Sequence, residues 1–112
     1  MIDSYSFGRI MIDGTLYRSD VIIHPGGVQS DWWRQSGHAF TLQDLEGVLR
    51  YEPGLLIVGQ GKLGRMRVAR EVAEEAGRRK IELVVAPTDA AVEQYNRRCA
   101  EGRVVAALHL TC

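Results

Sequence analysis

Leu55-Leu56-Ile57-Val58-Gly59-Gln60-Gly61-Lys62-Leu63-Gly64-Arg65-Met66 is the stretch that decides the fold class. A branched apolar run meets a glycine-rich turn, and a helix-forming sequence follows. The order predicts strand, tight loop and helix, which places the chain among α/β folds. The unbroken apolar run through Val58 implies a strand covered on both faces. Gly59, Gly61 and Gly64 have the spacing G-x-G-x-x-G. At such a junction backbone N–H groups and the positive end of a helix can face an anion together.

Downstream of the loop, a helix is expected from about Gly64 to Ala76. Its apolar stripe is Val68, Ala69, Val72, Ala73 and Ala76, with Arg70–Glu74 and Glu74–Arg78 as i,i+4 pairs outside. Ile81 to Val85 reads as a second buried strand. Thr88 is expected to cap a third helix, with Ala91, Val92, Tyr95 and Cys99 on its inner face and Gly102 at its end. Val104 to Leu110 is a last strand. Upstream, Phe7 to Ile12 and Thr15 to Arg18 flank Asp13-Gly14, a pair suited to the positive φ angles of a type I′ hairpin turn. Val21-Ile22-Ile23 is a further short strand, or a continuation of the second one, ended by Pro25-Gly26-Gly27. Thr41 opens a helix through about Tyr51, with Thr41 and Asp44 as a capping box and Phe40 and Leu45 at the staple positions. Val28 to Ala39 has no legible period. Strand–helix–strand–helix–strand in the second half requires a parallel, right-handed first crossover. A single mixed sheet with helices packed on it accommodates both halves.

The 112 residues predict one domain spanning 1–112, long enough to bury a core. Lys+Arg and Asp+Glu both number 14, so no basic excess points to nucleic acid. Cys99 and Cys112 have no metal-ligand spacing and read as reduced thiols of a cytoplasmic protein. Met1-Ile2-Asp3-Ser4-Tyr5 has no secretory pattern, and no apolar stretch reaches transmembrane length.

Several phrases then combine. They are Tyr5-Ser6-Phe7-Gly8-Arg9-Ile10, Tyr17-Arg18-Ser19-Asp20-Val21-Ile22-Ile23, and Trp33-Arg34 followed by Gly37-His38. The glycine loop comes next, then Ala91-Val92-Glu93-Gln94-Tyr95-Asn96 and Val105-Ala106-Ala107-Leu108-His109-Leu110-Thr111-Cys112. In this order they resemble the small Mth-type domain family, of unknown biochemical function. Mitochondrial complex I assembly factor 3 and the animal adipogenesis-associated protein share this domain. The resemblance covers nearly the whole chain. It implies a three-layer α/β fold: a mixed five-stranded sheet with flanking helices, an N-terminal β-hairpin region, and the C-terminal strand antiparallel to the others. It implies no established enzymatic activity, and a role through protein contacts in the assembly or regulation of a respiratory complex. The arginine-rich targeting extension of the mitochondrial members has no counterpart here.

The candidate site residues follow from these readings. Dinucleotide binding would need an acidic residue near the end of the strand after the loop, where Val84-Val85-Ala86-Pro87 stands; Glu82 comes early and Asp89 late. A smaller anion such as phosphate remains as the ligand reading for Gly59, Gly61, Lys62 and Gly64, with Lys62 supplying charge. The bland reading is favoured: Gly59 and Gly61 make a tight turn and Gly64 permits close helix packing. His24, His38 and His109 form no local metal spacing, and a hydrogen-bonded structural histidine is the default for each. No serine has a nucleophile setting, and a terminal carboxylate beside the Cys112 thiol disfavours its thiolate. Tyr95 reads as core with its hydroxyl at the margin, and Asn96 as bonded to a neighbouring loop. Trp32-Trp33 is the candidate partner surface. Strand neighbours face opposite ways, so one packs and the other is exposed. Trp32, beside Asp31, is expected to be the exposed contact residue and Trp33 the packed one. The function expected is a non-enzymatic binding or assembly module without cofactor or metal, whose partner is a protein. The alternative is a small-molecule or anion-binding protein, even an enzyme, that uses the Gly59–Gly64 loop.

Overall fold

The computed structural model describes residues 1–34 and 36–112. The chain begins with β1 (Ile2–Ser6), β2 (Arg9–Ile12) and β3 (Thr15–Tyr17), a three-stranded antiparallel sheet. Asp13 and Gly14 have φ of 47° and 82° and close the β2–β3 hairpin as a two-residue turn between Ile12 and Thr15. A second hairpin, β4 (Val21–His24) and β5 (Gly27–Gln29), turns at Pro25-Gly26. Then come β6 (Ala39–Phe40), α1 (Leu42–Leu49), β7 (Leu55–Gln60), β8 (Arg67–Val68), α2 (Arg70–Arg78), β9 (Glu82–Ala86), α3 (Thr88–Arg98) and β10 (Val104–His109).

The central sheet has the order β5-β4-β10-β7-β9. Strand β10 is parallel to β7, β7 is parallel to β9, and β4 is antiparallel to both β10 and β5. The reversed strand is therefore β4, not the C-terminal strand that the family resemblance implied. The connections give the reason. A two-residue turn joins β4 to β5 and must reverse the chain, whereas β9 returns to β10 through α3 as a crossover, which keeps strands parallel.

Alternation along β7 divides the core into two faces. Leu55 and Ile57 face Ile2, Ile10 and Ile12 of the N-terminal sheet and Ala91 of α3. Leu56 and Val58 face Leu45 and Val48 of α1, Val72 of α2, and Trp32, Phe40 and Met66. Each fully buried branched side chain contributes roughly 2 kcal/mol. These are the three layers. Asn96 fixes α3 to β1 rather than to a loop, with its side chain bonded to both N and O of Ile2 at 2.8 Å.

The helices depart from expectation at their starts. The Asp44 carboxylate accepts from Thr41 N–H at 2.8 Å, and Phe40 and Leu45 are fully buried, so the capping reading of α1 holds. Helix α2 begins at Arg70, not near Gly64, because Gly61 and Gly64 have φ of 95° and 67° and residues 67–68 pair with β6 as a short parallel strand. The ion pairs found at the end of α2 run from Glu75 to Arg78 (2.6 Å) and to the capping residue Arg79 (2.7 Å), and among the described residues they stand in place of the expected Glu74 pairs. Thr88 is the first residue of α3 rather than its cap, a place taken by Pro87.

Candidate functional site

Sheet topology brings one set of residues together. The carboxyl ends of β7, β9 and β10 and the start of the reversed strand β4 lie at the same end of the sheet. Ligands of open α/β sheets bind at this kind of edge. Here it carries the glycine loop, Thr88, Asp20 and the segment from His109 to Cys112.

The glycine loop is filled by the chain itself. A Cβ on Gly59 would lie 2.8 Å from Thr88 Oγ1 and 2.9 Å from Leu108 Cδ2, so close packing requires Gly59. A Cβ on Gly61 would lie 2.5 Å from the Thr111 carbonyl oxygen, whereas one on Gly64 meets nothing nearer than Pro87 at 3.4 Å. Close approach thus belongs to Gly59 and Gly61, and Gly64 serves the turn. The Gly61 N–H donates to Thr88 Oγ1 at 2.8 Å, Lys62 N–H to Thr111 O at 2.6 Å, and Gly64 N–H to Gly61 O at 3.1 Å. Thr88, fully buried, passes its own hydrogen to His109 O at 2.6 Å. The Lys62 ammonium pairs with Asp89 at 3.0 Å and lies over the Tyr5 ring. The Tyr5 hydroxyl donates to Leu110 O, and burial together with the Asp89 charge pushes its pKa up to about 12. The Gly61, Lys62 and Gly64 amides are thus engaged, α2 starts well beyond Gly64, at Arg70, and the helix end that meets the loop is that of α3, whose Thr88 N–H donates to Gly61 O at 3.0 Å.

A buried ionic cluster stands beside it. Asp20 Oδ2 lies 2.8 Å from Arg34 Nη1 and 2.7 Å from His109 Nδ1, and Asp20 Oδ1 accepts from Leu110 N–H at 2.8 Å. An ionised carboxylate only accepts, so His109 Nδ1 carries the hydrogen. Arg34 Nη2, 3.1 Å from that nitrogen, therefore donates instead to Gly37 O at 3.0 Å. Nε2 of His109 is left 3.4 Å from Thr111 Oγ1. Burial pushes the Asp20 carboxyl up, but the hydrogen bonds from His109, Leu110 and Arg34 outweigh it and hold the group below the usual carboxylate range. His38, exposed, lies with its ring centroid 6.3 Å from that of His109. His24 is at the far end of β4, stacked on Tyr51 at 4.0 Å.

This cluster escaped the sequence reading. The signal was there in part: an acid directly before one apolar strand, and a histidine late in another. Pairing β4 with β10 in the register Leu108↔Val21 puts position 20 beside position 109. Without that pairing the two are unrelated positions.

Residues 31–34 belong to no strand, yet the two tryptophans differ in exposure, in the opposite sense to the expectation. Trp32 is 7% exposed, edge-on to Phe40 with the Arg34 guanidinium 4.7 Å above its ring. Trp33 is 86% exposed. The Trp32 ring fills the gap between Phe40 and Arg34, and that packing determines which of the two turns inward. Both border a cleft of about 410 Å³ formed with Arg18, Ser19, Asp31 and Arg34. The described residues contain no group of His, Cys, Asp and Glu arranged to hold a metal, and no helix among them is long and apolar enough to cross a membrane.

Solved structures share this architecture. The conserved hypothetical protein PH1505 from Pyrococcus horikoshii is 24% identical, with a TM-score of 0.88 over 100% of this chain and 99% of its own. The protein named MT938 is 28% identical, with a TM-score of 0.79 over 100% of this chain and 98% of its own. A Mth938-like domain protein from Bordetella pertussis is 22% identical, with a TM-score of 0.68 over 98% of this chain and 85% of its own. The family of proteins of unknown function DUF498/DUF598 matches residues 2–110, and the chain belongs to it.

Proposed function

We propose that this protein is a non-enzymatic binding module whose docking surface is the carboxyl end of the central strands, with Trp33 as its anchor and another protein as its partner. The observation that carries this reading is the 86% exposure of Trp33 at the border of the cleft while its neighbour is buried. Tryptophan and arginine are enriched among the residues that carry binding energy at interfaces, and Trp33 stands beside Arg34 at this cleft. Family resemblance supports assembly of a protein complex as the setting, and two free thiols suit the cytoplasm. The loop of Gly59, Gly61, Lys62 and Gly64 is the weaker anion-binding alternative, since a ligand there must displace Thr88 from the Gly61 N–H and Thr111 from the Lys62 N–H.

Affinity purification of the native protein tests the reading. A partner retained by the wild type and lost with Trp33→Ala, at an unchanged unfolding midpoint, is the expected result. Equal retention by both proteins would overturn the assignment of this surface.

A further inference from the structure

A second cleft, of about 490 Å³, opens at the opposite end of the sheet between the N-terminal strands, the β4–β5 hairpin and α3. Its size lies within the ~300–1,000 Å³ range of small-molecule sites. The floor is the main core itself, through Ile12, Ile23 and Val104. Tyr95, His24 and Cys99 supply its polar groups.

Both ionisable rings are uncharged near neutral pH. Burial, then the nearby Arg50 charge, lowers the pKa of His24. His24 Nδ1 accepts from Gly26 N–H at 3.2 Å, so the ring hydrogen sits on Nε2 as a neutral donor. Burial raises Tyr95 and keeps it a phenol. None of the hydrogen bonds among the described residues uses the Tyr95 hydroxyl. The one charged side chain among the described residues of the lining is Asp13, which is largely exposed. Asp13 is already paired with the Met1 ammonium at 2.9 Å, so the lining offers neither a carboxylate nor an amine ligand a counter-charge.

We propose that this cleft binds a small uncharged molecule with an apolar body and a carbonyl-type acceptor, the apolar part on Ile23 and Val104 and the acceptor at the Tyr95 hydroxyl. The site lies away from the Trp33 surface and does not depend on that reading.

Cys99 reports occupancy. Its iodoacetamide alkylation is followed by peptide mass spectrometry, with Cys112 in the same molecule as the internal control. Cyclohexanone, cyclohexanecarboxylate and cyclohexylammonium serve as probes of one shape and three charges. Cyclohexanone is expected to slow alkylation of Cys99 severalfold without affecting Cys112, and the two charged probes to leave Cys99 unprotected. Val28→Phe, which fills the cleft, should abolish the protection, and Tyr95→Phe should weaken it about fivefold, the worth of one ordinary hydrogen bond. Unprotected Cys99, equal protection by all three probes, or protection that survives Val28→Phe overturns the proposal. Should Val28→Phe fail to fold by circular dichroism, Tyr95→Phe decides, and an unchanged cyclohexanone affinity overturns it.

Discussion

Asp20 and His109, 89 positions apart in the chain, share a 2.7 Å hydrogen bond between Oδ2 and Nδ1. The same carboxylate oxygen holds Arg34 at 2.8 Å, so one group ties the start of β4, the end of β10 and the tryptophan-bearing segment together. The native state lowers the Asp20 pKa below its unfolded value. Its stabilising contribution is therefore fully present above about pH 4, the ordinary aspartate pKa, and is lost as pH falls through the native value. Wild-type stability, from urea midpoints, should decline across that acidic window. The Asp20→Asn variant should show a flatter decline and be weaker at pH 7 by on the order of 3 kcal/mol, because Arg34 loses a buried partner. Parallel pH profiles for the two proteins would show that Asp20 titrates normally.

Trp32 and Trp33 should behave as different kinds of residue. Trp32→Ala removes a ring packed between Phe40 and Arg34 and is expected to cost about 3 kcal/mol or more. Trp33→Ala should change stability by no more than about 0.5 kcal/mol. Iodide quenching on the single variants checks the placement. Fluorescence from Trp33, measured in Trp32→Phe, should be quenched far more than that from Trp32, measured in Trp33→Phe.

Thr88 links the glycine loop to the last strand through one hydroxyl, which accepts from Gly61 and donates to His109 O. Thr88→Val keeps the volume and removes both bonds. Leaving the Gly61 N–H buried and unpaired should cost about 2 kcal/mol. Amide exchange at Gly61 should accelerate selectively; exchange that rises evenly across the sheet would mean a general loss of stability instead.

Gly61→Ala should be among the worst single substitutions. It combines a φ of 95° with a Cβ 2.5 Å from a backbone oxygen, so neither strain nor overlap is relieved by a rotamer change. A loss of at least about 3 kcal/mol is expected in denaturant melts. Gly102→Ala, also at positive φ but with open space around it, should cost roughly 1–2 kcal/mol.

Phosphate titration followed by amide chemical shifts separates the two functional readings. Because the Gly61, Lys62 and Gly64 N–H groups already have partners, their signals should move no more than those of the rest of the chain. A selective, saturable shift at these residues would show that Thr88 and Thr111 give way to an anion.

What was legible in the sequence was what local physics dictates. The Leu55–Val58 strand, the Asp13-Gly14 turn and the Thr41 helix start each rest on neighbours in the chain. The start of α2 was misplaced because Val68 and Ala69 fit a helical stripe, while the positive φ of Gly64 and the pairing with β6 kept them extended. Thr88 looked like a cap because nothing local says that its hydroxyl is needed by Gly61. The Asp20–Arg34–His109 cluster depends on the β4–β10 pairing, a contact between the two ends of the chain that no window of sequence contains. The order of exposure of Trp32 and Trp33 depends on Phe40 and Arg34 for the same reason.

The central position of β10 also governs when this protein can become itself. On the ribosome, β7, α2 and β9 can assemble early, but the β4–β5 hairpin has no place in the sheet until β10 has emerged and separated it from β7. Until then β4 and β7 each present an apolar edge with unpaired backbone groups. Closure joins segments from opposite ends of the chain, the kind of long-range pairing that folds slowly and leaves nascent chains open to association. A chain stalled before residue 104 is therefore expected to be a client for chaperones, and entry of β10 between β4 and β7 is the step that removes it from their reach.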